Sequence, residues 1–434
     1  MQDRWVGASL VIVLACMRST VLVAQDGGDV ETRLSAVEAA VKNSGHRDPW
    51  ALKPTFNNGL SLTSNNGQAV FKLGGRIQAD TAFFAEDGDF ESSYGDQADG
   101  FEFRRSRILF EGTFWEQFFW RMQYDFAGGA GNRPGLKDVY GGIKGLDYVG
   151  TVRAGHFKEP FGLEELTSSK YITFMERSGT SVFTPARNAG IMANDRWREG
   201  RGTWALGVFR TTSDDNAFDQ GDGDYSATGR VTYAPVYENE GARVVHLGLA
   251  VSQRGAPDNS QRYRQRPPGH LSDRLVDLGT LPVDDDQRVG VEFATVSGPL
   301  SLQGEAMSMW ANGIDGQQDV RGLAAYVMAS YFLTGETRPY DDKNGAFKRV
   351  KPGNNFLGGD GSGAWEVAAR YGYTDLDMED DLALSASPSA MHDVTAGLNW
   401  YWNPVFRMMF NYVWAHPEGG GNLHIAEIRF QVAM

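Results

Sequence analysis

Cysteine is almost missing from this chain of 434 residues: Cys16 is the only one. It lies in an N-terminal stretch with the marks of a secretory signal, namely Arg4, an apolar run from Val6 to Ala15, and Leu22-Val23-Ala24 ahead of a cleavage point before Gln25. Removal of residues 1–24 leaves a mature chain with no thiol and no disulfide. A lipoprotein-type cleavage at Cys16 is the other reading of this segment. Long apolar runs are missing too. No later stretch approaches ~18 consecutive apolar residues, so no helix is expected to anchor the chain in a membrane. Positive charge is in deficit, with 41 Lys and Arg against 55 Asp and Glu and a net charge of −14. That excludes a basic nucleic-acid surface. The seven histidines are scattered, and neither HExxH nor GxSxG occurs. GGDGSG at 358–363 precedes a strand pattern and reads as a flexible turn, not a phosphate-binding loop. No catalytic constellation, metal site or cofactor is expected.

What is present is an alternating pattern. Hydrophobic residues make up 41% and aromatics 12%, with 53 glycines. This fits strands that are apolar only at every second position, separated by many turns. From Ala69 onward, sixteen segments read as strands: 69–82, 101–113, 116–126, 136–144, 149–157, 187–195, 202–211, 225–235, 243–253, 286–296, 299–310, 319–333, 364–374, 391–401, 404–414 and 423–433. Connections alternate between short and long, which is the rhythm of an outer-membrane barrel with short periplasmic turns and longer external loops. Residues 334–363 break it, being long where a short turn is due. The faces separate cleanly. Phe71, Leu73, Ile77 and Ala79 oppose Lys72, Arg76, Gln78 and Asp80. Trp120, Met122, Tyr124 and Phe126 oppose Arg121, Gln123 and Asp125. Parity alone does not say which face points inward; the signal segment, the strand number and the loop rhythm favour lipid outside. Ahead of the barrel, Val30, Leu34, Val37 and Val41 fall at heptad spacing within residues 28–45. A trimerising coiled coil and a plain linker helix both fit. Residues 46–68 read as linker.

The strand FEFRRSRILFE (101–111) concentrates Arg104, Arg105 and Arg107 in its first half. Arg105, Arg107 and Glu111 share the lumen parity, while Arg104 falls with Ile108 and Phe110. A β-bulge between Arg104 and Arg107 would let both neighbours reach the lumen; without one, Arg104 has to snorkel or sit at a subunit contact. The arrangement suggests an anion site inside a water-filled barrel. Residues 159–186 form a long connection carrying Lys170 and Arg177, with Lys158 just before it; these lysines also fit ordinary loop charge.

At these residues the chain resembles the phosphate-selective porin family, the OprO and OprP type of Gram-negative outer membranes. The segments that carry the resemblance are GGRIQAD (74–80), FEFRRSRILFEG (101–112), HFKEPFGLEELTSSKYITFMERS (156–178) and FNYVWAHPEGGGNLHIAEIRFQ (410–431), with FKRVKP (347–352) and GAWEVAARY (363–371). It covers nearly all of 69–434 in order. The resemblance implies a 16-stranded trimeric outer-membrane barrel that passes phosphate or polyphosphate through an arginine-lined constriction, with the 159–186 loop folded into the pore. By motif position, Arg76 and the pair Arg104-Arg105 match the family's central anion-binding arginines. Asp138 and Lys158 match a further carboxylate and lysine, with Lys170 the alternative lysine. The expected partners are small anions, outer-membrane lipid and two further copies of the chain. A general or weakly selective porin, or a structural outer-membrane protein, is the other reading of the same fold.

Overall fold

Alternating burial along the strands shows how the sheet closes on itself. In the computed structural model, which describes residues 48–57, 59–127, 134–212, 224–378 and 389–434, twenty-one strands form. Sixteen make the barrel. They are β3 (Ala69–Glu86), β4 (Gly100–Phe114), β5 (Phe118–Asp125), β6 (Gly135–Leu146), β7 (Gly150–Lys158), β8 (Arg187–Trp197), β9 (Gly202–Arg210), β10 (Tyr225–Glu238), β11 (Arg243–Gly255), β13 (Val276–Ser297), β14 (Leu300–Gly313), β15 (Val320–Phe332), β18 (Ala364–Asp375), β19 (Ala390–Tyr401), β20 (Phe406–Pro417) and β21 (Leu423–Ala433). Each pairs antiparallel with its neighbour, and β21 pairs with β3 from Leu423↔Glu86 to Ala433↔Arg76, which closes the barrel. All sixteen expected strands are found. The expected signal segment and heptad helix lie outside the described residues.

The faces have the sense expected of a barrel in lipid. Ile77, Phe103, Ile191, Leu206, Val208, Leu249 and Val291 are exposed, whereas Arg105, Arg230, Arg288, Arg370, Arg407 and Arg429 are buried. A soluble barrel would reverse this. On β18 to β21, Trp365 stacks on Trp400 at 4.9 Å and Phe406 meets Phe430 at one end. At the other end, the Tyr371 hydroxyl bonds His392 and the Tyr412 hydroxyl bonds His424. Trp400 and His392 are eight residues apart on one strand, about 20 Å along the membrane normal at ordinary rise and tilt. The two rows have the spacing of interfacial aromatic girdles.

Three departures from the sequence reading matter. First, residues within the expected linker form a hairpin of β1 (Leu52–Phe56) and β2 (Leu60–Ser64), and β2 pairs with β3 from Leu60↔Leu73 to Thr63↔Val70. LKPTF and LSLTS are short β-capable runs around a turn, and β3 has an open edge below the point where β21 stops. Second, β13 begins ten residues earlier than expected and pairs with β12 (Ser260–Gln265) in the external loop. Gly279, at φ +74, sits at a register shift, so Val276 and Leu278 keep one parity and Leu281 and Val283 another, yet all four are buried. A bulge of this kind hides a strand from a strict period-two reading. Third, the long 333–363 connection carries a small ribbon of β16 (Tyr340–Asp341) and β17 (Ala346–Phe347). Tyr340, Ala346 and Phe347 pack on Val244, Ala294 and Val296 of the barrel wall. By strand polarity this segment enters from the periplasmic end.

Candidate functional site

The connection between β7 and β8 is held against the inner wall. It contains two turns of helix, α2 (Leu163–Leu166) and a 3-10 turn (Gly179–Phe183), a longer α1 (Gly88–Tyr94) having formed in the first external loop. Phe161, Leu163, Phe174, Met175 and Phe183 are fully buried. Its main chain is tied to strands around the barrel. Arg407 donates to the carbonyls of Ile172 and Thr173, Arg429 to Met175 and Arg288 to Phe183. The Glu305 carboxylate accepts from the amides of Leu163 and Glu164. Charge-assisted bonds of this kind are the stronger class, and they fix the loop inside the barrel.

Between this loop, the 333–363 segment and the wall runs a cavity of about 1470 Å³. All seven residues singled out in the sequence line it: Arg76, Arg104, Arg105, Arg107, Asp138, Lys158 and Lys170. Their states differ. The bulge predicted in β4 exists, with Phe103 opposite Ala79 and Arg105 opposite Gln78. It falls on Arg104 itself and turns both Arg104 and Arg105 inward. Arg104 grips the Glu176 carboxylate through Nε at 2.9 Å and a terminal nitrogen at 3.0 Å, and Arg105 lies 3.6 Å from the same group. Arg429 adds a third guanidinium at 2.8 Å. Burial alone would raise the Glu176 carboxyl, but Arg104, Arg105 and Arg429 together hold it well below the usual carboxylate range. Arg107 pairs with Asp125 at 2.6 Å, Asp138 accepts from Arg187 at 2.7 Å, and Lys158 pairs with Glu165 at 2.6 Å. Neither Asp80 nor Glu111 neutralises the β4 arginines: Asp80 serves Arg429, and Glu111 serves Arg121 and Lys72.

Arg76 and Lys170 stand apart. Arg76 donates to the Ser169 hydroxyl, and Lys170 donates to the Met434 main-chain oxygen at 3.1 Å. Among the described residues, neither makes an ion pair with an Asp or Glu side chain. Lys170 and Arg349 each sit over the Tyr171 ring, both at 5.4 Å from its centre. Arg76, Lys170 and Arg349 thus gather around Ser169 and Tyr171. Arg349 was legible only as part of the FKRVKP motif, and Glu176 only as one residue of the loop block.

Burial and the guanidiniums of Arg76, Arg349 and Arg121 bring the Lys170 ammonium down to about 7, against the opposing pull of Glu111. The group is charged below that value and neutral above it. Inhibition of chloride current by sulfate is therefore expected to weaken as pH rises from about 6 to about 8, because sulfate keeps its own charge over that range. Lys170→Met should flatten the profile. An unchanged profile in that variant would remove Lys170 from the anion path.

The sign of the lumen is the deciding feature. Twelve arginines and five lysines line the cavity, against seven carboxylates, in a chain whose overall net charge is −14. The family model for phosphate-selective porin O and P matches residues 71–434. The chain belongs to that family. Porin O of Pseudomonas aeruginosa is 28% identical over 395 residues, covering 83% of this chain and 86% of its own. Among solved structures, the anion-selective porin from Comamonas acidovorans superposes with a TM-score of 0.53 at 14% identity, over 84% of this chain and 100% of that one. OmpT of Vibrio cholerae, in a trimer form, gives 0.51 at 11% identity over 84% and 99%. These likenesses establish the barrel, and the family match establishes an outer-membrane porin. In this porin Arg264, Arg266 and Arg274 lie on and beside β12 in the external loop, and the same cavity is lined by Arg76 and Lys170 and by Lys343 and Lys348 of the 333–363 segment.

Proposed function

We propose that this porin passes small anions, phosphate or a short polyphosphate, by diffusion through a passage whose central anion ligands are Arg76 and Lys170, with Arg104, Arg105 and Arg107 as a paired reserve of positive charge. The observation that carries the reading is that Arg76 and Lys170, beside each other in a lumen of strongly positive lining, make no ion pair with an Asp or Glu side chain among the described residues. Arginine presents a rigid fork that fits phosphate oxygens and stays charged at any relevant pH. A narrow, low-dielectric passage of one sign concentrates the opposite ion. Conduction also requires release, and several moderate sites in series suit that better than one deep well. Asp138 and Glu176 shallow the well in the same sense. No covalent step is involved. The form in the membrane is a homotrimer, a reading supported by the trimer form of the Vibrio neighbour.

One observation favours a weaker selectivity. Arg104, Arg105, Arg107 and Lys158 each already have a carboxylate at or within 3.6 Å. A general porin with the family fold would have all its lumen charge satisfied in this way. Single-channel recording in chloride with phosphate added separates the two. Small anion-selective steps inhibited by low phosphate are expected. Large steps of weak selectivity, indifferent to phosphate, would leave a general porin.

A further inference from the structure

The lumen wall is not polar throughout. On β5 to β9, inward positions carry rings and glycines. Phe119, Tyr140, Phe157 and Phe209 form a continuous edge-to-face chain, with centroids 6.2, 5.6 and 5.6 Å apart. Glycines on the same strands make room for it. A Cβ on Gly142 would stand 2.5 Å from the Phe119 ring, and one on Gly190 or Gly207 would stand 2.4 or 2.6 Å from Phe209. The rings therefore lie along the wall instead of closing the passage. Tyr140, Phe157 and Met192 face the cavity.

Two guanidiniums reach this patch: Arg121, 5.9 Å from the Tyr140 centroid, and Arg153. Arg153 sits 5.4 Å from the Tyr140 centroid and 5.7 Å from that of Phe157. Among the described residues its one hydrogen bond goes to the Asn194 side-chain oxygen at 3.2 Å, and its buried Nε has no partner. Among the described residues it has no carboxylate partner, unlike its neighbour Arg121, which is held by Glu111 and lies 3.6 Å from Asp138. Stacking fixes the orientation of the guanidinium and leaves most of its donors unused. A bare inorganic anion would use the charge and ignore the rings. The patch offers more to an anion that has a flat apolar body.

Building on the anion-pore reading, we propose a second binding site at Arg153, Tyr140, Phe157, Met192 and Asn194 for organic phosphates that carry an aromatic ring. The phosphoryl group takes the free donors of Arg153. The ring packs on the half-buried Tyr140 side chain, which is backed by the buried Phe157 and Met192.

Phenyl phosphate and methyl phosphate share the headgroup and differ in the ring, so they test this directly on the reconstituted porin. Added from the periplasmic side, phenyl phosphate is expected to inhibit chloride current at about tenfold lower concentration than methyl phosphate. Arg153→Gln is expected to abolish that margin, the two esters being compared within the variant so that any general change in anion inhibition cancels, and an open chloride channel shows that the variant folds. Met192→Asn, which alters the apolar surface and not the charge, is expected to shrink the margin as well. Equal inhibition by the two esters in the native porin, or a margin that survives in Arg153→Gln, overturns the second site and leaves the central one standing. A native porin with no anion selectivity and no response to any phosphate overturns the anion-pore reading itself, and this site with it.

Discussion

Replacing Arg76 and Lys170 together by glutamine is expected to weaken phosphate inhibition of chloride current by about a hundredfold. Arg76 reaches the lumen from β3, with its only bond to the Ser169 hydroxyl, and Lys170 reaches it from the in-pore loop. Among the described residues neither is held by an Asp or Glu side chain, so neither has to leave one to serve an incoming anion. A hydrogen bond to a charged group contributes roughly 1.5–3 kcal/mol, so losing two removes about 3 kcal/mol, which is about two decades of affinity. Each single variant should lose about tenfold. The paired arginines give the contrast. Arg107→Gln removes a cation already bound to Asp125 at 2.6 Å, and its effect on phosphate should stay within about threefold. Titration of phosphate against single-channel current reads the four variants and the native porin on one scale. If Arg107→Gln matches the double variant, partner-free charge is not what selects the site, and the β4 arginines take precedence.

The contrast between Arg76 and Arg107 also shows what the sequence made legible. Period-two alternation and loop rhythm gave all sixteen barrel strands, because one face meets lipid and the other meets water over every strand. The bulge at Arg104 was legible because three arginines in four residues cannot all point inward from a regular strand. The state of those arginines was not. Glu176 lies 72 residues from Arg104 in sequence and 253 from Arg429, and parity along a strand carries no information about which loop carboxylate returns to it. The β12 hairpin was hidden by the parity change at Gly279. The aromatic wall around Tyr140 and Phe157 was missed for another reason. Parity was read as polar inside and apolar outside, and an inward ring seated over a glycine breaks that rule where the lumen wall is meant to be apolar. The 333–363 segment was visible only as an anomaly of length. Its burial depends on Tyr340 and Phe347 meeting β11 and β13, a tertiary fact.

Glu176→Gln is expected to act in the opposite direction, tightening phosphate inhibition by about tenfold and slowing its release. In the native porin the Glu176 carboxylate occupies the place an anion would take between Arg104, Arg105 and Arg429. Glutamine keeps the shape and one acceptor oxygen but removes the charge. Arg429 keeps Asp80 at 2.5 Å, so the charge set free belongs to Arg104 and Arg105, which have no other carboxylate among the described residues. Two guanidiniums then face the lumen beside the Arg76–Lys170 group, and the well deepens. Deeper binding slows exit, so phosphate flux at high concentration should fall even as inhibition of chloride strengthens. The same change loosens one tie of the in-pore loop, and the barrel's thermal unfolding should shift down by a few degrees, in line with the loss of roughly 1–2 kcal/mol in a large domain. The two readouts separate the roles of Glu176. Tighter phosphate inhibition with a small thermal shift marks it as a charge that tunes the pore. A large thermal shift with unchanged or weaker phosphate inhibition would mean that Arg104 and Arg105 serve to hold the loop, and that the anion path depends on Arg76 and Lys170 alone.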